Sequence, residues 1–597
     1  MGMTAGDDLC QRLIEWGVDT IYGFPGDGIN GLLGSLRRVE DKLRFIQTRH
    51  EEMAAFMACG HAKFTDQVGV CMATSGPGAI HLLNGLYDAK LDHRPVVAIV
   101  GQTFNRALGG DFQQEVNLLQ LYSDVASAYV QQVSEASTVR HMVDRAMRIA
   151  QAERTVTCVI FPADIQDQPA VPEQPVATHT VHSGVGWWPP RQIPSKEQLR
   201  QAADILNSGE RVALLVGQGA LNATDEVLQV ADKLGAGVAK ALLGKAAIPD
   251  DVPYCTGSIG LLGTKPSWDL MQGCDTLLMV GSSFPYSEFL PQPGQARAIQ
   301  IDLMARNLSL RYAMDLALVG DAKDTLAELL PLLQHKQDRS WQEGVEKGMG
   351  EWKVLMEKRG QPEDVDGRVR PQGLFTSLSR HLPDRAILSS DSGSAANWYA
   401  RHIQIRRGMK AMLSGNLATM VPGVPYAIAA KFAFPDRVSV AMVGDGAMQM
   451  GGMAEMLTAL KYYKSWQDPR LIVLVLNNED LNQVTWEQRV MEGDPSFAAS
   501  QQIPYVCYAD YANLVGLKGI KVNKAEEIEA AFDQAFSCDR PVIVDALTTP
   551  DEPPIPPHIT AKQAKALFKS TLADVDQGWP GALEGVKEVV GQLVPGR

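Results

Sequence analysis

Short, unbroken apolar runs recur along the whole chain, and stretches of helical period separate them. Val96–Val100, Val212–Val216 and Leu471–Leu476 show the pattern. A strand with one face in water alternates apolar and polar residues, whereas a run apolar at every position has both faces covered. Helices between the runs supply the cover, because parallel strands need a crossover connection. The pattern predicts an α/β chain of doubly wound parallel sheets. In the first series the expected strands are Thr20–Tyr22, Arg44–Ile46, Val68–Met72, Val96–Val100 and Thr155–Ile160. Helices are expected over Asp7–Trp16, Glu52–Lys63 and Ala79–Leu91. A second series holds Val212–Val216, Thr276–Val280 and Ala298–Ile301, and a third Ala386–Ser389, Val438–Val443, Leu471–Leu476 and Val542–Asp545.

Composition changes mark the divisions. Gln166–Lys196 is proline-rich and reads as a linker, His335–Asp366 is charged and weakly apolar, and Pro550–Pro557 precedes a tail. The expected domains are residues 1–175, 190–340 and 362–550, with a tail over 551–597. The first and third series match in size and pattern, but alternation alone does not relate them. A net charge of −14 without a basic run argues against nucleic-acid binding. Eight scattered cysteines form no CxxC pair, and no basic start leads into an apolar N-terminal segment. A cytoplasmic protein without disulfide framework or secretory signal is expected. No apolar run approaches the roughly 20 residues of a membrane span.

The chemistry concentrates at two strand ends. Gly444-Asp445-Gly446 closes one apolar strand and Asn477-Asn478 closes a later one, with 30 residues between Gly446 and Asn477. Open α/β sheets bind ligands at such carboxyl ends. A hard cation takes oxygen ligands, which Asp445 and the Asn478 amide can supply. Glycines let a backbone approach phosphate, and the following helix N-terminus favours an anion. The site therefore suits a diphosphate held through Mg²⁺. Taken singly, the segments have plainer readings: Gly-Asp-Gly is common loop chemistry, Glu51 before a helix complements its dipole, and Met420 is a core side chain.

The spacing resembles the cofactor motif of thiamine diphosphate-dependent enzymes, and three further segments occur in that family's order. Arg49-His50-Glu51 follows a strand, Ala73-Thr74-Ser75-Gly76-Pro77-Gly78 precedes a helix, and Leu417-Ala418-Thr419-Met420 is followed by Gly423 and Pro425. The resemblance implies that Glu51 contacts N1′ of the cofactor's aminopyrimidine. Met420 would wedge between the cofactor rings while the Ala418 carbonyl accepts from the 4′-amino group; many relatives carry Gly at that position. Glu51 and Gln114 are the implied catalytic residues. Gly26, Ser75, Gly393, Ser394, Gly444, Gly446 and Ala447 are implied cofactor contacts, and Asp445, Asn478 and Asp480 implied metal ligands.

Within the family the chain resembles pyruvate oxidases and quinone-dependent pyruvate dehydrogenases over nearly its whole length, and acetohydroxyacid synthases more distantly. Ile80–Asp88, Phe284-Pro285-Tyr286, Ile299–Asp302, Leu318–Asp321, Ile555–Ile559 and Gln563-Ala564-Lys565 carry this likeness. It implies a pyrimidine-binding, a central FAD-type and a diphosphate-binding domain. FAD would meet Gly217, Gly219, Ser283, Phe284, Asp302 and Asp321. No GxGxxG fingerprint is present, and acidic residues after strands are often helix caps. Two departures stand out: Gln113 replaces an aromatic in the relatives' Phe-Gln-Glu run, and Ser287 stands where relatives can carry Arg.

The implied reaction is oxidative decarboxylation of a pyruvate-like 2-oxo acid, with electrons passing to FAD and then to a quinone or oxygen. The rivals are a carboligase resembling acetohydroxyacid synthase, with FAD structural or absent, and a non-catalytic binding protein on this fold. The family resemblance also implies a site completed between subunits of a homodimer or homotetramer. In the tail, Leu583, Val586, Val589, Val590 and Leu593 fall at helical spacing. Without a basic face, that segment is expected to pack on protein rather than make peripheral contact with a membrane.

Overall fold

The computed structural model describes residues 2–173, 176–177, 179–553 and 561–576; the Ala582–Leu593 segment lies outside them. Among the described residues the chain forms three six-stranded parallel sheets and a two-stranded ribbon. The first sheet runs Arg44–Gln47, Thr20–Gly23, Gly69–Ala73, Val96–Gln102, Val156–Pro162, Val130–Gln132. The second runs Leu316–Val319, Arg297–Asp302, Thr276–Val280, Val212–Val216, Gly237–Lys240, Cys255–Ser258. The third runs Lys410–Met412, Ile387–Ser390, Ser439–Gly444, Leu471–Asn477, Val542–Leu547, Lys518–Val522. Numbered by chain order within each series, the first and third sheets share the order 2-1-3-4-6-5. The second is 6-5-4-1-2-3, the arrangement of dinucleotide-binding sheets.

The double winding is visible residue by residue. Val212, Leu214 and Val216 join one core with Leu278 and Val280, while Ala213 and Leu215 join another with Leu277 and Met279. Successive side chains thus enter opposite cores, which is why these strands are apolar throughout. Helix starts follow their caps: Thr4 and Asp7 form a reciprocal capping box for Ala5–Glu15, as Ser195 and Gln198 do for Lys196–Ser208. The first expected helix therefore begins two residues early. The expected helix over Ala79–Leu91 is divided at Leu82 into Pro77–His81 and Leu83–Leu91.

The charged segment before the third series contains a 20-residue helix, Ser340–Arg359. Its apolar stripe is one residue wide: Trp341 and Val345 reach the central core, and the Trp341 indole donates to the Val212 carbonyl at 2.9 Å. The chain divides into two compact units. One comprises Met1–Pro189, Met412–Ala441 and Ala447–Leu471, the other Pro190–Ala411, Met442–Gly446 and Ile472–Arg597.

Candidate active site

Each sheet has a strand-order reversal beside its first strand, where the connections leave in opposite directions and open a crevice. In the third sheet the reversal falls between Ile387–Ser390 and Ser439–Gly444, beyond which lie Gly393-Ser394 and Asp445-Gly446. In the first it falls between Thr20–Gly23 and Gly69–Ala73, beyond which lie Gly26 and Ser75. In the second it falls between Val212–Val216 and Thr276–Val280, beyond which lie Gly217, Gly219, Ser283 and Phe284.

At the third-sheet crevice Asp445 is buried. Its Oδ2 accepts the N–H groups of Asn478 at 2.9 Å and Glu479 at 2.7 Å, tying the two strand ends together. Its Oδ1 accepts the Gly446 N–H at 2.8 Å. Asn478 Oδ1 accepts from the Asp480 N–H at 3.1 Å, and Asp480 is held by Thr485 at 2.9 Å and Asn482 at 3.2 Å. Burial pushes the Asp445 carboxyl up to about 6, and the Asp480 charge adds to that effect. Asp480 is raised as well, chiefly by burial. Two buried carboxylates and an amide oxygen, carried at the ends of two neighbouring strands, form a donor set that fits a hard divalent cation. A Cβ at Gly444 would meet nothing within 4 Å, leaving the strand end open to a ligand. Across the crevice, Gly393 has φ +88° and opens the nine-residue helix Ser394–His402, whose N-terminus suits phosphate. Ser394 Oγ donates to Asn482 Oδ1 at 3.0 Å, linking that helix start to the metal-type loop. Ala447 is buried at the end of the short helix Asp445–Ala447.

In the other unit, Glu51 opens the helix Glu51–Thr65 and is 8% exposed. Its Oε2 meets the Nδ1 of His81 at 3.0 Å, and the His81 ring lies 4.4 Å from that of His50. Its Oε1 would be 3.2 Å from a Cβ at Gly78, so the glycine leaves the carboxylate room. Ser75 Oγ donates to Gln114 Oε1 at 2.9 Å. Gly26 packs against Thr74, whose hydroxyl accepts from the Gly28 N–H at 3.0 Å. Gln113 and Phe112 are exposed. Ala418 has φ +52° and Val421 φ +88°, so Met420 sits between two residues in the left-handed region. Such conformations cost about 1–3 kcal/mol each and cluster at ligand clamps. The left-handed φ also explains why glycine is a ready substitute for Ala418.

In the central sheet the glycines are required by loop–loop contact. A Cβ at Gly217 would lie 2.3 Å from the Gly281 carbonyl, and one at Gly219 2.7 Å from the Gly281 Cα. Phe284 is buried and packs edge-to-face on Tyr286, centroids 5.6 Å apart. Asp302 accepts the Met304 N–H at 2.8 Å, and Asp321 caps the helix Ala322–Leu329 through the Asp324 N–H at 3.0 Å. The glycines thus serve the close packing of the two loops, and the two aspartates serve local turns.

Two partners escaped the sequence. His81 was visible only as one residue of a longer run, with no local sign of its pairing to Glu51. Glu455 is buried and accepts the Arg49 N–H at 2.7 Å, fastening the segment that leads to Glu51. Its one signal is a carboxylate on the apolar side of Met453–Tyr462.

Comparison with known proteins agrees with this architecture. Family models for thiamine pyrophosphate enzymes match in three places: the N-terminal TPP binding domain over residues 3–121, the central domain over 199–329 and the C-terminal TPP binding domain over 391–546. The chain belongs to the thiamine pyrophosphate enzyme family. It is 37% identical to the Bacillus subtilis protein YdaP, named for thiamine pyrophosphate, over 99% of both chains. It is 29% identical to pyruvate oxidase of Lactiplantibacillus plantarum, covering 92% of this chain and 89% of that one. It is 27% identical to the acetolactate synthase isozyme 1 large subunit of Escherichia coli, covering 93% and 96%. Among the described residues no helix is long and apolar enough to cross a membrane.

Proposed function

We propose that the protein oxidatively decarboxylates a pyruvate-like 2-oxo acid, with thiamine diphosphate, Mg²⁺ and FAD as cofactors and a quinone or oxygen as final electron acceptor. The observation that carries this reading is the set of three order reversals, two flanked by thiamine-type motifs and one by a glycine-lined dinucleotide-type crevice. Bound thiamine diphosphate supplies an electron sink for the departing carboxylate. Asp445, Asn478 and Asp480 would hold the metal, and Gly393, Ser394, Gly444 and Gly446 the diphosphate. The Glu51 carboxyl would share a proton with N1′ of the aminopyrimidine, with His81 orienting it. Ala418 and Met420 would fix the cofactor's bend, and Ser75 would orient Gln114 towards the substrate. FAD would lie against Gly217, Gly219, Ser283 and Phe284, with Asp302 and Asp321 nearby.

We assign domains to residues 1–175, 190–340 and 362–550, and a dimer or tetramer in which Glu51 of one subunit serves Asp445 of another. The second reading is a carboligase resembling acetolactate synthase. It is favoured by Gln113, an exposed polar residue where oxidases carry an aromatic. Incubation of the purified holoenzyme with pyruvate and an artificial electron acceptor separates the two. Acceptor reduction with acetate supports the oxidase, whereas acetolactate or acetoin without reduction supports the ligase. A flavin absorbance spectrum tests FAD directly.

A further inference from the structure

Lys63, Asp88 and Asp92 are fully buried charges that no step above uses. Lys63 lies near the end of the helix that Glu51 opens, and Asp88 and Asp92 lie in and just after Leu83–Leu91. The Lys63 ammonium donates to Asp92 Oδ2 at 2.7 Å, the Tyr426 hydroxyl at 2.7 Å and the Leu413 carbonyl at 2.8 Å, with Asp88 at 3.3 Å. Tyr426 in turn donates to Asp88. The carboxylates reach the same strand of chain. Asp88 Oδ1 accepts from Ser414 Oγ, and Asp92 accepts the N–H groups of Gly415 and Asn416, each at 2.8 Å. Ser414 Oγ then accepts the Thr419 N–H at 3.1 Å, one residue past Ala418. Asn84 adds a contact to the Thr419 hydroxyl at 3.2 Å and another to Glu52 at 2.6 Å.

A buried charge cluster is costly unless fully paired, and breaking one partner strands the others. Burial alone would lower the Lys63 ammonium, but Asp88 and Asp92 outweigh it and keep it charged. Ala418 and Val421, both left-handed, lie immediately beyond the anchored residues. Such conformations persist only where surrounding structure over-determines them.

We infer that Lys63, Asp88 and Asp92 are positioning residues that hold Leu413–Thr419 so that Ala418 and Met420 present the geometry a bent cofactor requires. This rests on the proposal that Ala418 and Met420 contact thiamine diphosphate. The helix Glu51–Thr65 would then carry an activating carboxylate at its start and register the cofactor-shaping segment through Lys63 near its end.

The test uses full-length Asp92→Asn, Lys63→Met and Ser414→Ala. Asn at 92 keeps the shape but cannot accept both the Gly415 and Asn416 N–H groups. Affinity is measured by calorimetric titration of thiamine diphosphate in excess Mg²⁺, and amide exchange over 413–421 is followed in the cofactor-free protein. The expected result is a Kd weakened by about ten- to a hundredfold, the effect of losing an orienting partner, together with faster exchange at residues 415, 416 and 419. Arg12→Met, which breaks the buried Arg12–Asp144 pair elsewhere in the same unit, serves as the stability control. It should lower the melting temperature without altering Kd or that exchange. Met420→Ala separates the two layers. If it weakens binding while the cluster variants leave Kd and exchange at wild-type values, the positioning role is refuted and the cofactor reading stands. If Met420→Ala also binds normally, the cofactor role of the segment fails, and the inference with it. Should Asp92→Asn not fold, Ser414→Ala, which removes only the Asp88–Ser414–Thr419 link, decides the outcome alone.

Discussion

The buried Glu455 gives a quantitative prediction about pH. The carboxylate accepts the Arg49 N–H at 2.7 Å, two residues before Glu51. Burial pushes its pKa up from an ordinary 4.5 to about 7, against the opposing pull of that N–H and of the Thr458 side chain. The folded state therefore binds a proton that the unfolded state has released between these values. Stability from this group is fully present below pH 4.5 and is lost as pH rises through about 7. The displacement corresponds to on the order of 3 kcal/mol. Glu455→Gln keeps an oxygen for the Arg49 N–H and cannot ionise. In chemical denaturation from pH 4 to 8.5, the stability of wild type minus variant should fall by about that amount and then level off. A difference that stays constant across the range would refute the assignment of a raised pKa to Glu455.

Three further outcomes follow. Asp445→Asn should raise the Mg²⁺ concentration for half-maximal activity by about tenfold or more, since one anionic ligand is lost; activity at fixed cofactor against free Mg²⁺ checks this. Gly76→Ala should destabilise the fold by about 1–3 kcal/mol, because φ is +59° and the added Cβ would lie 2.8 Å from that of Gln114; thermal unfolding measures it. At a Mg²⁺ concentration too low for the Asp445→Asn chain to turn over, unfolding and refolding Glu51→Gln and Asp445→Asn chains together should restore about a quarter of wild-type turnover if a two-fold assembly shares its sites. Half the dimers would then be hybrids with one intact site in two, and no recovery would place both residues in one subunit's site.

Some of this architecture is readable in the chain because burial on two faces leaves a mark on every residue, as in Leu471–Asn477. The edge strand Lys518–Val522 is hidden because only Ile520 and Val522 face inward. The helix Ser340–Arg359 is hidden because its contact stripe is too narrow to outweigh its charges. The Gly444-Asp445-Gly446 and Asn477-Asn478 pair is legible because a loop closing a strand needs particular atoms at fixed spacing. The Lys63 cluster is not, since a lysine near a helix end reads as solvated until Asp88, Asp92 and Leu413 are brought to it from distant sequence. The left-handed φ of Val421 is equally invisible, because a β-branched residue disfavours that region and only its surroundings impose it. Alternation alone also left the arrangement of the first and third series open; the structure gives both the same strand order.

The central claim is that Glu51 activates a thiamine cofactor bound to this chain. The most direct measurement is hydrogen–deuterium exchange at C2 of bound thiamine diphosphate, followed by quenched-flow NMR in wild type and Glu51→Gln. With both proteins saturated by cofactor, exchange should slow by about a hundred- to ten-thousandfold in the variant, the range for losing a positioned acid–base group. Exchange in Glu51→Gln as fast as in wild type would contradict the account.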